Sequence, residues 1–273
     1  MYLHNKYGDK DEIFHSNYYS FSGSTGRKLL LLHGSRLAGL DTWGRVVPNL
    51  TEWSEILIPD LPGVGSNNPQ NVTDHDFTLS MIIDSIKSLI DKYGWSEFDL
   101  VGYSIGGFIG SAFLKAYPDM ILNQLIIESA LFVVPEKKLS EVGVTMNEIA
   151  DLMLTDPDKG NNTFSDLVSS NQRKFPLSTS VRPIHNALGF ANLLRILGGF
   201  CLSDKVLPLI DCQRNTTLVV TEYSTREANE MAFHIKQRIS CEVISIPNFD
   251  HSFVFVDPIM TANLINNWCK KNI

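Results

Sequence analysis

Short apolar runs alternate with longer amphipathic stretches along most of this chain. The apolar runs predict strands at residues 28–32, 56–58, 99–101, 125–127, 218–220 and 243–246. The stretches between them predict helices at residues 79–93, 105–116, 226–238 and 258–271. Regular alternation of strands and helices is typical of a mostly parallel sheet with helices on both faces. The pattern therefore predicts an α/β fold with a mostly parallel central sheet.

The sequence departs from this regular alternation at two places. Near the N-terminus, residues 12–14 and 18–21 predict a small antiparallel pair of strands, followed by a turn at residues 23–26. Between residues 131 and 210 the strands stop, and the sequence indicates helices joined by polar turns, such as the segment 156–162.

A long insertion after one strand of a regular α/β sheet usually covers an active site. We therefore predict a core formed by residues 1–130 and 211–273, and a helical cap, residues 131–210, inserted after the strand that ends near Glu128. The alternative is that the insertion is a packing element with no functional role.

Size and charge limit the classes of protein that need to be considered. A chain of 273 residues can bury one large core, and 44% hydrophobic and 19% charged residues are ordinary for a globular protein. The net charge of −7, without a basic stripe, argues against a nucleic-acid partner. We expect a small-molecule substrate, whereas the sequence leaves the oligomeric state open.

The chain shows no signal for a membrane span, a metal or a cofactor. Its first ten residues are polar, and no apolar stretch is long enough to cross a bilayer. The cysteines form no C-x-x-C pair, so the sequence suggests neither a zinc site nor a disulfide framework; they are Cys201, Cys212, Cys241 and Cys269. We therefore predict a cytoplasmic protein with no metal and no cofactor.

The strongest chemical signal is Gly-Tyr-Ser-Ile-Gly-Gly at residues 102–107, between a predicted strand and a predicted helix. A serine on such a sharp turn has a strained backbone, and only small flanking residues, here Gly102 and Gly106, let the chain double back. Ser104 would then stand at a helix N-terminus, whose free N–H groups can stabilise an oxyanion. A lone G-x-S-x-G is common by chance, but this strand–turn–helix context favours a nucleophile.

Three further motifs each follow a predicted strand. The strand at 28–32 runs into His33-Gly34-Ser35, the segment 58–66 is a glycine-rich loop that contains Asp60, and the segment 246–252 contains His251. Together with the serine motif, these residues resemble those of the α/β-hydrolases, in particular the small, single-domain, cap-bearing type. The resemblance extends over nearly the whole chain, because the four motifs occur in the expected order.

The resemblance implies a role for several residues. Ser104 would be the nucleophile and His251 its general base, since a neutral imidazole accepts a proton at one nitrogen and donates at the other. The oxyanion hole would consist of the backbone N–H groups of Ser35 and Ile105. Asp60 would be structural. An epoxide or haloalkane hydrolase is disfavoured, because those relatives carry aspartate where this chain has Ser104.

The third member of the triad is where this chain departs from the family pattern. Most relatives carry an aspartate at the position aligned with Thr225, which cannot stabilise an imidazolium by charge. Glu128, after the strand at 125–127, is the first candidate for the acid, because some serine hydrolases of this fold place it there. Glu222 is the alternative, followed by Glu227, and the last possibility is that there is no acid.

The resemblance favours a serine hydrolase that cleaves an ester, thioester or lactone of a small apolar or amphipathic molecule through an acyl-enzyme on Ser104. The insertion could line its pocket with aromatic side chains, which could equally be ordinary core: Phe132, Phe164, Phe175, Phe190 and Phe200. One alternative is a carbon–carbon bond hydrolase or pyruvate-eliminating lyase that binds a carboxylated substrate through Arg36, Arg173 or Arg182. The other alternative is a non-enzymatic ligand receptor or signalling protein of the same fold.

Overall fold

The computed structural model describes residues 16–20, 26–35, 37–64, 77–129, 138–168, 187–211, 213–224 and 226–272. Several residues used in the sequence predictions lie outside these ranges, namely the strand at 12–14, most of the turn at 23–26, Arg36, Gly65, Ser66, Phe132, Arg173, Phe175, Arg182, Cys212 and Thr225.

The centre of the fold is a twisted sheet whose described strands are β1 (Ser16–Ser20), β2 (Lys28–Leu32), β3 (Glu55–Pro59), β4 (Phe98–Tyr103), β5 (Ile121–Ile127), β6 (Thr216–Thr221) and β7 (Glu242–Ile246). Their order across the sheet is β1-β3-β2-β4-β5-β6-β7. Strands β2 to β7 are parallel, and β1 pairs with β3 in the antiparallel direction. The predicted α/β fold is confirmed, and the N-terminal strand is paired with the edge of the main sheet.

The helices connect the strands and cover both faces of the sheet. In chain order they are α1 (Gly39–Trp43), α2 (Leu79–Lys92), α3 (Ile105–Ala116), α4 (Leu139–Thr155), α5 (Pro157–Val168), α6 (Ala187–Cys201), α7 (Val206–Asp211), α8 (Arg226–Ile239), α9 (Phe253–Val256) and α10 (Pro258–Lys271), with a 3₁₀ turn at Val47–Asn49. Among the described helices, none combines the length and apolarity needed to span a membrane.

Alternating side chains of each buried strand pack into two different apolar layers. On β2, Leu30 and Leu32 belong to the layer that contains α2 and α3, whereas Leu29 and Leu31 belong to the layer that contains α10. Successive side chains of a strand point to opposite faces, and a parallel sheet covered on both faces therefore reads as a continuous apolar run. This is why the leucine run at 29–32 predicted a strand so clearly.

The insertion between β5 and β6 contains α4 to α7, and α4 packs lengthwise against α6. The polar turn predicted at 156–162 is wrong, because helix α5 begins at Pro157. Proline is favoured at the first position of a helix, where its missing N–H is not needed. The Asp156 Oδ1 accepts a hydrogen bond of 3.1 Å from the Lys159 N–H, so the break between α4 and α5 is this one capping residue.

Three cysteines in the described ranges, Cys201, Cys241 and Cys269, are buried free thiols. Burial raises the pKa of Cys201 and of Cys269 to about 11, so both thiols are protonated at neutral pH. Protonated thiols are poor nucleophiles, which is the chemistry of structural rather than reactive cysteines.

A buried carboxylate joins the amino ends of four neighbouring strands, β2 to β5. Asp99, at the start of β4, is fully buried and accepts hydrogen bonds from the Arg27 guanidinium, from Trp53 Nε1 at 2.9 Å and from Asn123 Nδ2 at 3.1 Å. The charge of Asp99 is therefore balanced and its oxygens are saturated, which is what makes a buried ion pair tolerable.

Replacing Asp99 with asparagine should lower the free energy of unfolding by about 3 kcal/mol, because the ion pair between Arg27 and Asp99 is lost and an amide N–H₂ faces other donors. Chemical denaturation measures the change. Asp119→Asn is the matched control, since Asp119 pairs with Arg214 at 3.1 Å but its side chain is 97% exposed, so little change is expected. Equal effects of the two substitutions would contradict the interpretation.

Candidate active site

Three of the predicted site residues follow the carboxyl ends of parallel strands. Ser104 follows β4, Glu128 follows β5, and His251 lies in the loop after β7. Tyr103 and Ile127 are partners in the β4–β5 register, so Ser104 and Glu128 leave the sheet side by side. The carboxyl edge of an open parallel sheet is where such folds bind ligands.

Ser104 adopts a backbone conformation that is rare for a residue with a side chain, with φ of 55° and ψ of −121°. The turn is tight enough that a Cβ on Gly102 would lie 2.5 Å from Gly106 O, and a Cβ on Gly106 would lie 2.5 Å from Leu32 O. The Ser104 N–H donates to Ile127 O at 2.9 Å and fixes the turn to β5. The G-x-S-x-G spacing is therefore a steric requirement of this turn.

The imidazole of His251 lies between Ser104 and Glu128. Its Nε2 is 3.2 Å from Ser104 Oγ, and its Nδ1 is 3.4 Å from Glu128 Oε2. An ionised carboxylate can only accept hydrogen bonds, so Nδ1 carries the proton and Nε2 is free to accept from the serine hydroxyl. A hydroxyl, an imidazole and a carboxylate thus form one continuous row.

Glu128 is buried, with 3% of its side chain exposed, and it also has a left-handed backbone with φ of 53°. Its Oε1 accepts a hydrogen bond of 2.6 Å from the Thr221 N–H at the end of β6. Its Oε2 accepts a hydrogen bond from the Ser224 hydroxyl and faces the imidazole. Both oxygens of this carboxylate are therefore engaged, which offsets the cost of burying it.

Glu222 and Glu227, the two alternative candidates for the acid, have no described contact with the imidazole of His251. Glu222 is exposed, and its Oε2 accepts a hydrogen bond of 2.7 Å from the Asn248 N–H, in the turn that leads to His251. Glu227 is in the first turn of α8, and its side chain lies outside the described part of the structure. Of these carboxylates, the described contacts bring Glu128 to the imidazole.

Tyr103 was not singled out from the sequence, although it positions the loop of His251. Its hydroxyl donates to the His251 carbonyl oxygen at 2.6 Å, and its ring lies 5.1 Å from the imidazole, centroid to centroid. The Asp250 Oδ1 accepts from the Ser252 N–H at 2.8 Å, which closes the turn around His251. The only sequence signal was a buried aromatic residue directly before the serine.

His33 ties together the loops that follow β2 and β3. Its Nε2 accepts a hydrogen bond of 2.7 Å from the Leu61 N–H, and its Nδ1 donates to Gly34 O at 2.6 Å. Complete burial lowers the pKa of His33, and the opposing effect of the Asp60 charge is smaller. The imidazole is therefore neutral at neutral pH, as this donor–acceptor pair requires. The Asp60 Oδ1 accepts from the Gly39 N–H at 2.7 Å, at the start of α1.

The two amides predicted to form an oxyanion hole are at the same edge of the sheet. Leu32 and Gly102 are partners in the β2–β4 register, and Ser35 and Ile105 are each three residues further along the chain. Ile105 is the first residue of α3, where a backbone N–H has no acceptor four residues back within the helix. Both residues are buried.

The insertion contacts the core at two places near this edge. Gly189 on α6 packs against the loop after β3 so closely that a Cβ on Gly189 would lie 1.9 Å from Gly63 O. The Phe200 ring lies 5.0 Å from that of Phe108 on α3. Phe164 and Phe190 contact each other edge to face and are buried, so they form core within the insertion.

Comparison with known proteins identifies the fold. A family model described as "alpha/beta hydrolase fold" matches residues 28–183, more than half of the chain. The chain belongs to the α/β-hydrolase family. The structure of MenH from S. aureus superimposes on this α/β-hydrolase with a TM-score of 0.77 and 19% identity, over 94% of this chain and 98% of that one. An esterase from Exiguobacterium antarcticum gives a TM-score of 0.70 at 12% identity, over 94% and 95% of the two chains.

The curated relatives match only parts of this α/β-hydrolase. Abhydrolase domain-containing protein abhd-5.2 of Caenorhabditis elegans is 31% identical over 101 residues, which are 37% of this chain and 22% of that protein. Cis-3-alkyl-4-alkyloxetan-2-one decarboxylase of Shewanella oneidensis is 25% identical over 170 residues, which are 59% of this chain and 51% of that protein. This chain therefore spans about half or less of these relatives.

Metal-binding side chains are not clustered in the part of this α/β-hydrolase that the structure describes. No group of three or more His, Cys, Asp or Glu side chains there could hold a metal ion. The chemistry available at the strand ends is that of a hydroxyl, an imidazole, a carboxylate and backbone amides.

Replacing Gly189 with alanine should weaken the contact between the insertion and the core, because the new methyl group would overlap the Gly63 carbonyl. We expect the free energy of unfolding to fall by about 1–3 kcal/mol, the usual cost of overpacking, as measured by chemical denaturation.

Gly199→Ala on the same helix is the matched control. A Cβ at position 199 would meet no heavy atom within 4 Å, so alanine should leave stability unchanged or raise it by up to about 1 kcal/mol through helix propensity. If Gly189→Ala were as stable as Gly199→Ala, the close contact with Gly63 would not matter for stability.

Proposed function

We propose that this α/β-hydrolase is a serine hydrolase that cleaves an ester, thioester or lactone through an acyl-enzyme on Ser104. The observation that carries the proposal is the position of His251, whose Nε2 is 3.2 Å from Ser104 Oγ while its Nδ1 faces Glu128. This is the spacing that a general base needs to take a proton from a hydroxyl nucleophile.

The proposed reaction has two balanced halves. In the first, Ser104 Oγ attacks the acyl carbon while its proton moves to His251 Nε2, and the same proton then leaves with the alcohol or thiol as the acyl-enzyme forms. In the second, His251 takes a proton from water, the resulting hydroxide attacks the acyl carbon, and the proton returns to Ser104 as the acid is released. Glu128 holds the imidazole and balances its charge while it is protonated.

The backbone amides of Ser35 and Ile105 are proposed to stabilise the oxyanion of each tetrahedral intermediate. Their register across β2 and β4, beside the Ser104 turn, supports this assignment. Such donors are fixed by the fold before the reaction begins, so they need no rearrangement as charge develops on the oxygen.

Residues 131–210 are proposed to act as a cap over a core made of residues 1–130 and 211–273. The contacts of α6 with Gly63 and Phe108 support this, because both lie on segments that follow strands of the core. An apolar insertion favours a small apolar or amphipathic substrate. The Shewanella relative is named for an oxetan-2-one, a cyclic ester, which agrees with this class.

The remaining expectations stay predictions of the sequence. These are the cytoplasmic location, the absence of a nucleic-acid partner, a metal or a cofactor, and the two alternative functions. Both alternative functions are included as outcomes of the tests below.

A fluorophosphonate probe should label the purified protein, because a serine that an imidazole has activated attacks the phosphorus of the probe, expels fluoride and remains as a phosphonate ester. Ser104→Ala should abolish labelling, as read by intact-mass spectrometry. Ser111→Ala is the control, because Ser111 Oγ is buried on α3 and donates to Gly107 O at 2.8 Å, so labelling should persist.

The same preparation should hydrolyse short p-nitrophenyl esters. Labelling together with ester turnover supports the serine hydrolase. Labelling without ester turnover would favour carbon–carbon cleavage, and a parent protein that takes no label would favour a binding role.

Glu128→Gln and Glu222→Gln should separate the two candidate acids. Glu128→Gln should lower kcat by about 10²- to 10⁴-fold, because a neutral amide neither fixes the Nδ1–H tautomer nor stabilises the imidazolium. Glu222→Gln should leave kcat within a few-fold of the parent, since its contact is with the Asn248 N–H. Steady-state kinetics on a p-nitrophenyl ester measures both, and a larger effect at Glu222 would reverse the assignment.

A further inference from the structure

Glu128, the proposed acid, accepts hydrogen bonds from the end of β6 and from the loop that follows it. After β6, the chain turns through residues 222–224 beside the carboxylate of Glu128. Glu128 Oε1 accepts from the Thr221 N–H at 2.6 Å, whereas Oε2 is shared by the Ser224 hydroxyl and by His251 Nδ1. Glu128 Oε2, the oxygen that faces the imidazole of His251, thus also accepts the hydrogen bond from the Ser224 hydroxyl.

The direction of the hydroxyl protons follows from what the carboxylate can accept. Glu128 as a carboxylate has no proton to give, so Ser224 donates to Oε2. The Ser224 oxygen then accepts, and Thr221 Oγ1 lies 3.0 Å away from it. Thr221 is fully buried, so its hydroxyl has no access to water. The result is a chain of hydrogen bonds from Thr221 through Ser224 to the carboxylate.

The turn itself does not depend on the Ser224 hydroxyl. The Ser224 N–H donates to Thr221 O at 3.1 Å, and the Tyr223 N–H donates to Phe249 O at 2.9 Å, so the backbone closes the turn. Removing the hydroxyl should therefore change the surroundings of Glu128 while the loop keeps its shape.

The Glu128 carboxylate needs a hydrogen bond at each of its two oxygens to be held in one orientation. The N–H of Thr221 holds only Oε1, and the 3.4 Å separation of His251 Nδ1 from Oε2 is a loose contact. A glutamate side chain has three rotatable bonds, so holding it in one orientation costs conformational entropy. The hydrogen bond from the Ser224 hydroxyl gives Oε2 a fixed point, which would also set the plane of the carboxylate relative to the imidazole.

We infer that Ser224 is a positioning residue that orients the Glu128 carboxylate toward His251, with Thr221 orienting the Ser224 hydroxyl in turn. The inference rests on the proposed function for its effect on rate, but the hydrogen bonds themselves can be tested without turnover. The described contacts of the Ser224 hydroxyl are with Thr221 and Glu128, so its proposed effect on His251 and Ser104 passes through the Glu128 carboxylate.

The test compares Ser224→Ala, which removes the hydroxyl, with Ser224→Thr, which retains it. Ser224→Ala should lower kcat on a p-nitrophenyl ester about tenfold, with KM within twofold of the parent. It should also lower the rate of fluorophosphonate labelling by a similar factor, with a melting temperature close to that of the parent. Ser224→Thr should recover kcat to within about threefold of the parent, and Thr221→Val should lower it about two- to fivefold.

Ser54→Ala is the matched control, because Ser54 is also half-buried in a loop and donates to a backbone carbonyl, Arg27 O, at 2.8 Å at the opposite end of the sheet. Its kcat and labelling rate should equal those of the parent. An unchanged kcat in Ser224→Ala, or failure of Ser224→Thr to recover a lost kcat, would overturn the inference.

A spectroscopic measurement separates this inference from the proposed function. The hydrogen-bonded Nδ1 proton of His251 should give a downfield proton resonance, identified by its loss in His251→Gln. In Ser224→Ala this resonance should shift or broaden, and in Ser54→Ala it should not. If the parent takes no probe, the serine hydrolase proposal fails, and the resonance alone then decides the role of Ser224. If the resonance is the same in Ser224→Ala and the parent, the positioning role is wrong.

Discussion

The close approach of backbone to backbone at the Ser104 turn is the constraint on which the rest of the site depends. Strand β4 can approach helix α3 there only because position 102 carries no Cβ, and α3 can approach the end of β2 only because position 106 carries none. Between these two contacts, the backbone of Ser104 has a positive φ of 55°. Such a conformation costs on the order of 1–3 kcal/mol and persists only where the surroundings impose it. Here the buried strand β4 and the buried first two turns of α3 impose it.

A second left-handed residue extends this geometry to the neighbouring strand. Glu128 leaves β5 with φ of 53°, and its carboxylate reaches sideways past the end of β6, where the Thr221 N–H and the Ser224 hydroxyl meet it. This carboxylate is thus carried by one strand and receives hydrogen bonds from the end of the next. A glutamate at the end of β5 is long enough for its carboxylate to reach the end of β6. The family pattern instead places a shorter aspartate in the loop after β6.

The sequence predicted what depends on local pattern and missed what depends on distant contacts. The bounds of α3 and α10 agree with their predicted bounds, because a sharp turn starts one and a proline starts the other. Strand β5 begins four residues before its prediction, since it includes Gln124, a buried polar residue that bonds to Gln213. Helix α5 was missed because its surface is polar.

The contact of Tyr103 with His251 and that of Ser224 with Glu128 join residues about a hundred or more apart in the sequence, so no local pattern reveals them.

Each end of the sheet contains a buried carboxylate, Asp99 at the amino ends of the strands and Glu128 at their carboxyl ends, and the neighbours of the two carboxylates differ. At the amino ends, Asp99 is saturated by donors and holds strands together. At the carboxyl ends, Glu128 has a similar set of donors, yet one of them is an imidazole whose other nitrogen faces a hydroxyl. A buried carboxylate with fixed neighbours stabilises a fold in the first case. In the second, the same arrangement lies beside an imidazole and a hydroxyl, and under the proposed function the donors of Glu128 contribute to reactivity by restricting the orientation of His251.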